Sequence, residues 1–199
     1  MKKIAILASG GGSNMQAIAD SVKNGILKGL AEVVLVISNN PDAFALERAA
    51  KENIKTVCIE RKKFHDEKSF NSEILKELRK AKADIICLAG YMRIVGKEII
   101  DAYPQKVLNI HPALLPKFGG KGMYGHHVHE SVVAAKEKKS GATVHFVDEN
   151  YDTGSIVIQR EVPVFETDTP ADVAKRVLEV EHKIYPEAVC KVITRPDQI

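Results

Sequence analysis

The run VLNIHPALLP, Val107 to Pro116, places an amide and an imidazole two positions apart at the end of an apolar segment. Side chains alternate across a strand with a period of two, so Asn109 and His111 project to one face. An amide N–H stabilises negative charge on a carbonyl oxygen, and an imidazole exchanges protons near neutral pH. Together they meet two needs of acyl transfer, oxyanion stabilisation and proton transfer at the attacking and departing nitrogens. Taken alone, His111 has the plainer reading of a half-buried strand end satisfied by backbone, so other segments must decide.

Asp152, in the polar loop DENYDTG (148–154) after GATVHFV, offers a carboxylate that would orient His111 and raise its pKa by opposite-charge attraction. A solvated turn residue is the alternative. Ser9-Gly10-Gly11-Gly12-Ser13-Asn14 lies between the first apolar run and a helical pattern. Such a turn aims free N–H groups and the positive end of a helix at an anion. A dinucleotide fingerprint fails at Met15, and the second strand ends in Ser38-Asn39-Asn40 without a ribose-binding acid. The Gly-Lys-Ser/Thr ending of a nucleotide triphosphate loop is also missing. A phosphomonoester therefore fits better than NAD or a triphosphate, with a purely structural tight turn as the alternative. In LAGYMRIV (88–95), small residues let backbone approach a ligand and apolar side chains are available to wall a flat ring, with a strand exit packing on its own helix as the alternative.

His126, His127 and His129, with Glu130, match no zinc signature, so a surface loop or helix entry is expected there and no metal. Arg61 to Lys63 and Lys136, Lys138 and Lys139 lack interleaved aromatics and read as solvated faces, not a nucleic-acid surface.

These residues need elements to position them. Short β-branched runs (KIAILA, EVVLVIS, IKTVCIE, ADIICLA, KVLNIH) alternate with helical patterns at Asn14–Lys23, Asp42–Lys51 and Asp66–Lys80. The alternation predicts an α/β protein, a doubly wound and mostly parallel sheet, and the continuous apolar runs predict helices on both faces. Two more strands, GATVHFV and SIVIQREVPVF, follow a helix expected from about His129 to Lys138. A final helix, about Pro170 to Ile193, starts behind a Thr169 cap. The length of 199 residues suits a single catalytic domain over 1–199, and a net charge of +3 announces neither nucleic acid nor an anionic membrane. Cys58, Cys87 and Cys190 sit far apart among apolar residues, which predicts packed, reduced thiols and a cytoplasmic location. The first apolar run is too short for a secretory signal, and none is long enough to span a bilayer.

Five blocks, ASGGGSNMQAI, LAGYMRIV, VLNIHPALLP, HFVDENYDTGSIVIQ and EVEHKIYP, together resemble the phosphoribosylglycinamide formyltransferases, a folate-dependent family of purine synthesis. The Asn-x-His-Pro-x-Leu-Leu-Pro element and the later aspartate are shared by the wider formyltransferase superfamily. The Gly-Ser-Asn-Met-Gln loop points to the glycinamide ribonucleotide branch. The resemblance implies that the amine of glycinamide ribonucleotide attacks the formyl carbon of 10-formyltetrahydrofolate, a co-substrate, through a tetrahedral intermediate. It implies Asn109 as oxyanion holder, His111 as acid and proton donor, and Asp152 as the group keeping His111 protonated and correctly turned. Gly12, Ser13 and Asn14 would take the phosphate and Glu181 the ribose hydroxyls. Met92, Arg93, Ile94 and Val95, with Asn109, would line the folate pocket alongside the loop from Val147 to Asp152. A monomer or homodimer is expected.

Formyltetrahydrofolate deformylase is the nearest alternative, using a similar Asn, His and Asp set to hand the formyl group to water. That family carries a regulatory module ahead of its catalytic part, and methionyl-tRNA formyltransferase adds a basic carboxyl-terminal domain. A first strand at Lys2 or Lys3 and a chain stopping soon after its last helix lead us to expect neither. A non-catalytic phosphate-ligand sensor is a third reading. Glu67, beside Lys68, stands where the family often carries a basic residue toward the folate glutamate. The segment Lys117–Glu130 is longer and more glycine-rich than the simplest family pattern, and with Tyr124 it predicts a mobile lid.

Overall fold

The computed structural model describes residues 1–195. Seven strands form one sheet, β1 (Lys2–Leu7), β2 (Ala31–Ser38), β3 (Thr56–Cys58), β4 (Ile85–Leu88), β5 (Val107–His111), β6 (Lys139–Phe146) and β7 (Ile156–Pro163), in the order β3-β2-β1-β4-β5-β6-β7. The pairs among β1 to β5 are parallel, while the β5–β6 and β6–β7 pairs are antiparallel. The helices are α1 (Ser13–Asn24), α2 (Phe44–Lys51), α3 (Glu67–Lys80), α4 (Lys97–Ala102), α5 (His126–Ala134) and α6 (Pro170–Ile193).

The apolar strands are buried on both faces because each successive side chain meets a different helical layer. Ile4 and Ile6 of β1 pack with Met15 and Ile18 of α1 and Val177, Ile184 and Tyr185 of α6. Ala5 and Leu7 pack with Phe70, Ile74 and Leu78 of α3 and Ile99 of α4. Full burial of such a side chain contributes roughly 1.5–3 kcal/mol, so these two clusters dominate over any single cap in holding the sheet. Met15, at the position where a dinucleotide loop needs glycine, is one of these fully buried core residues.

Helix α6 starts as its sequence predicts: the Thr169 side chain accepts from the Asp172 N–H, the Asp172 side chain answers the Thr169 N–H, and Pro170 occupies the first turn. In its middle, the buried Tyr185 hydroxyl donates toward the carbonyls of Leu88 (3.0 Å) and Leu108 (3.1 Å), tying the helix to β4 and β5 just below the strand ends that carry the site.

Three expectations need correction. The helix placed at about His129–Lys138 spans His126–Ala134 and gives way to a left-handed Lys136 before β6 begins at Lys139, since the KEKK stretch supplies no apolar residue to continue the stripe. Helix α4 was not anticipated, because six residues are too few to show a 3.6-residue period. Cys87 is buried and Cys190 partly so, but Cys58 is exposed: it closes β3, an edge strand paired only with β2. Among the described residues no helix is long and apolar enough to cross a membrane.

Candidate active site

The strand order reverses at β1, with β2 and β3 on one side and β4 and β5 on the other. Ligands of open parallel sheets bind at the carboxyl ends beside such a reversal. Register aligns Leu7 with Leu88 and Leu88 with Asn109, so the glycine loop leaves β1 two strands away from Asn109, roughly 10 Å across the sheet. Ser9 ties the intervening strand ends together. Its hydroxyl lies 2.6 Å from Asn39 Oδ1 and accepts from the Met92 N–H at 2.8 Å, while its N–H donates to Gly90 O at 3.0 Å.

His111 is buried, and its Nε2 lies 2.7 Å from the Phe118 carbonyl oxygen. A carbonyl only accepts, so Nε2 carries a proton. Nδ1 lies 3.6 Å from Asp152 Oδ2, and that oxygen accepts from the Gly120 N–H at 2.9 Å. Asp152 reaches this place from a left-handed backbone conformation (φ 55). Two residues on, Gly154 lets the loop pass against β6: a Cβ there would lie 1.8 Å from Phe146 O.

Sequence reasoning missed His145. Antiparallel register sets it opposite Asn109, as Thr143 is opposite His111. His145 Nδ1 is 2.8 Å from Phe146 O and therefore donates there. In the neutral ring Nε2 then accepts from Asn109 Nδ2 at 3.1 Å. A proton on Nε2 would turn instead to Asp152 Oδ1, at 3.4 Å. His145 thus orients the amide of Asn109 and touches the carboxylate beside His111, joining the three expected residues into one cluster. The signal available beforehand was a histidine inside an apolar alternating strand, GATVHFV, on the face shared with Thr143.

The charge states differ from expectation. Burial holds the His111 pKa below its ordinary value, overcoming attraction by Asp152 and the Phe118 hydrogen bond, with His145 adding to the depression. Asp152 does raise it, as expected from the sequence, but desolvation wins. Burial pushes Asp152 upward, yet the His145 contact, the charge of His111 and the Gly120 N–H together hold it below the usual carboxylate range. At neutral pH the resting pair is an aspartate beside a neutral imidazole. Asp152→Asn keeps an acceptor for Gly120 but removes the charge, so any pH inflection assigned to His111 moves to lower pH. Histidine ring NMR or a pH–rate profile checks this, and an unmoved inflection rules out the coupling.

On the other side of the reversal, Gly12 opens α1 in a left-handed conformation (φ 73), and a Cβ there would sit 2.7 Å from Ala45 Cα. Only glycine fits both demands. The first helical bond of α1 runs from Gln16 N to Gly12 O, leaving the N–H groups of Ser13, Asn14 and Met15 without helical acceptors. The buried Asn14 donates through Nδ2 to Glu181 Oε2 at 2.6 Å, and its Oδ1 is buried without a partner. Burial pushes the Glu181 carboxyl up to about 7, against the opposing effect of Asn14. Asn14 of the loop and Glu181, which the family resemblance implies act on one ligand, do meet.

The segment after β4 is mixed. Met92 and Ile94 are each 55% exposed, whereas Val95 is buried in the second core cluster and offers a ligand only its backbone. Arg93 is committed elsewhere: Nη2 lies 2.7 Å from Glu67 Oε1, which also accepts from Arg61 Nε at 2.8 Å.

The family model described as formyl transferase matches residues 2–189. The chain is 43% identical over 189 residues to the chloroplastic phosphoribosylglycinamide formyltransferase of Arabidopsis thaliana, covering 94% of this chain and 64% of that protein. It is 37% identical over 193 residues to the phosphoribosylglycinamide formyltransferase of Bacillus subtilis, covering 97% and 95% of the two. The crystal structure of phosphoribosylglycinamide formyltransferase from Bacillus halodurans superposes with a TM-score of 0.91 at 36% identity, over 100% of this chain and 98% of that one. The chain thus spans a little under two thirds of the chloroplastic relative and nearly all of the bacterial ones. With strand order, clustered polar residues and family match in agreement over almost its whole length, this chain belongs to the formyl transferase family.

Proposed function

We propose that the protein transfers the formyl group of 10-formyltetrahydrofolate to the amine of glycinamide ribonucleotide, giving formylglycinamide ribonucleotide and tetrahydrofolate in purine synthesis. The observation that carries the reading is a phosphate-ready helix start, a buried carboxyl beside it, and an Asn–His–Asp cluster, all on the carboxyl edge of one sheet. The phosphate takes the free N–H groups of Ser13 and Asn14 beside Gly12, and Glu181 accepts from the ribose hydroxyls. Met92 and Ile94, with the backbone of Arg93 and Val95, wall the folate ring system. Asn109 Nδ2 gives one hydrogen to His145 and keeps the other for the oxygen of the tetrahedral intermediate.

His111 moves the proton. Its Nε2–H is tied to Phe118 O in the resting chain, so the 117–125 segment withdraws as the substrates enter and frees that donor for the departing folate nitrogen. Asp152 balances the imidazolium when His111 takes up a proton from the attacking amine. Holding the amine against the formyl carbon removes an encounter entropy worth up to ~7–11 kcal/mol in well-aligned systems, so positioning rivals acid catalysis in magnitude.

The test is a formyl-transfer assay with tag-free protein and 10-formyltetrahydrofolate, with glycinamide ribonucleotide present or omitted. Tetrahydrofolate forming only with the ribonucleotide supports the transferase. Equal turnover without it makes the chain a deformylase, and folate binding without turnover makes it a sensor. Glu181 adds a pH signature. Its carboxyl, raised to about 7, accepts best when ionised, so ribonucleotide affinity rises from pH 6 to pH 8 and the step disappears in Glu181→Gln. A pH-independent dissociation constant in the unaltered chain rules out this role.

A further inference from the structure

Because α5 begins at His126 and not near His129, its first turn gathers three metal-ligating side chains on the solvent side. His126 and Glu130 are four residues apart and His127 and Glu130 three, the spacings that meet on one helix face. The imidazole rings of His126 and His127 lie 4.0 Å apart between centroids, and His127 Nδ1 is 3.3 Å from Glu130 Oε2. One donor atom from each of the three residues falls within 4.8 Å of the others. All three are exposed, whereas His129 points inward and is buried.

We propose that His126, His127 and Glu130 form a binding site for one borderline transition-metal ion of the Zn²⁺ class, completed by water. A tetrahedral ion bound at roughly 2.0–2.2 Å needs donors about 3.3–3.6 Å apart. His127 and Glu130 already satisfy this, and a modest rotation of the exposed His126 ring supplies the third donor without disturbing the core. Two imidazole nitrogens and one carboxylate favour Zn²⁺, Ni²⁺ or Cu²⁺ over Mg²⁺ or Ca²⁺, which require oxygen ligands. The positive end of α5 opposes a cation, and the full charge of Glu130 acts against that opposition. Tyr124 packs edge-on against His127 at 5.4 Å and limits the positions that ring can take. None of its three residues belongs to the cluster proposed for formyl transfer. It follows directly on the glycine-rich segment whose Phe118 and Gly120 hold His111 and Asp152, so an occupying ion anchors the far end of that segment.

The test is competition of tag-free protein with a chromogenic chelator, using Zn²⁺ alone and then Mg²⁺ alone as probes, on the unaltered chain and on the His126→Ala/His127→Ala double variant. One Zn²⁺ per chain is expected, with affinity falling ~10-fold or more in the double variant and Mg²⁺ failing to compete. Zn²⁺ also raises the melting temperature of the unaltered chain and not that of the variant. Equal melting temperatures without metal show that the variant is folded. Zn²⁺ bound with equal stoichiometry and affinity by the double variant, for example at the exposed Cys58, overturns the proposal, as does an unaltered chain that takes up none.

Discussion

Replacing His111 by alanine is expected to lower kcat by about 100- to 10,000-fold, the range for loss of a positioned general acid–base group. The ribonucleotide KM should change little. His111 sits at the end of β5, while the Gly12–Asn14 loop and Glu181 that we assign to the ribonucleotide are on α1 and α6 and share no hydrogen bond with it. The imidazole is buried between Phe118 O and Asp152, so alanine also leaves a small void. A melting curve and single-turnover rates at saturating substrates separate lost chemistry from lost folding. A folded variant that retains more than about one tenth of the rate removes His111 from the proton path.

Asn109→Ala is the second large effect. If its free N–H faces the developing oxyanion, loss of one such donor costs about 2.7–4 kcal/mol, or 100- to 1,000-fold in kcat. The substitution also takes away the partner of His145 Nε2, leaving that ring free to turn to Asp152 Oδ1, 3.4 Å away. The two consequences are distinguishable. Lost oxyanion stabilisation lowers kcat at every pH, whereas a reorganised His145–Asp152 contact shifts the pH inflection. The Asn109→Ala/His145→Gln double variant, which has no imidazole at 145 to turn to Asp152, isolates the first effect. A pH-independent loss smaller than about tenfold in Asn109→Ala places the oxyanion elsewhere.

Much of this was legible beforehand for local reasons. Period-two geometry put Asn109 and His111 on one face, the glycines before Ser13 marked a helix start able to receive an anion, and Thr169-Pro170 with Asp172 marked the start of α6. The limits of α5 were not legible, because a polar KEKK run carries no periodicity that tells a helix end from a loop. The commitment of Arg93 to Glu67 and the burial of Val95 depend on which neighbouring element each side chain meets, and the spacing of LAGYMRIV is silent on that.

The sequence by itself determined the class of fold, the strands and the chemical identity of the main polar groups, since these follow from side-chain type and short-range periodicity. Only the tertiary structure decided that β6 pairs antiparallel with β5, bringing His145 onto Asn109 and Asp152, and that burial outweighs the carboxylate in setting the charge of His111. The physical reason is the same for both: strand register and desolvation are properties of residues distant in the chain that exclude water together, and no local pattern encodes them.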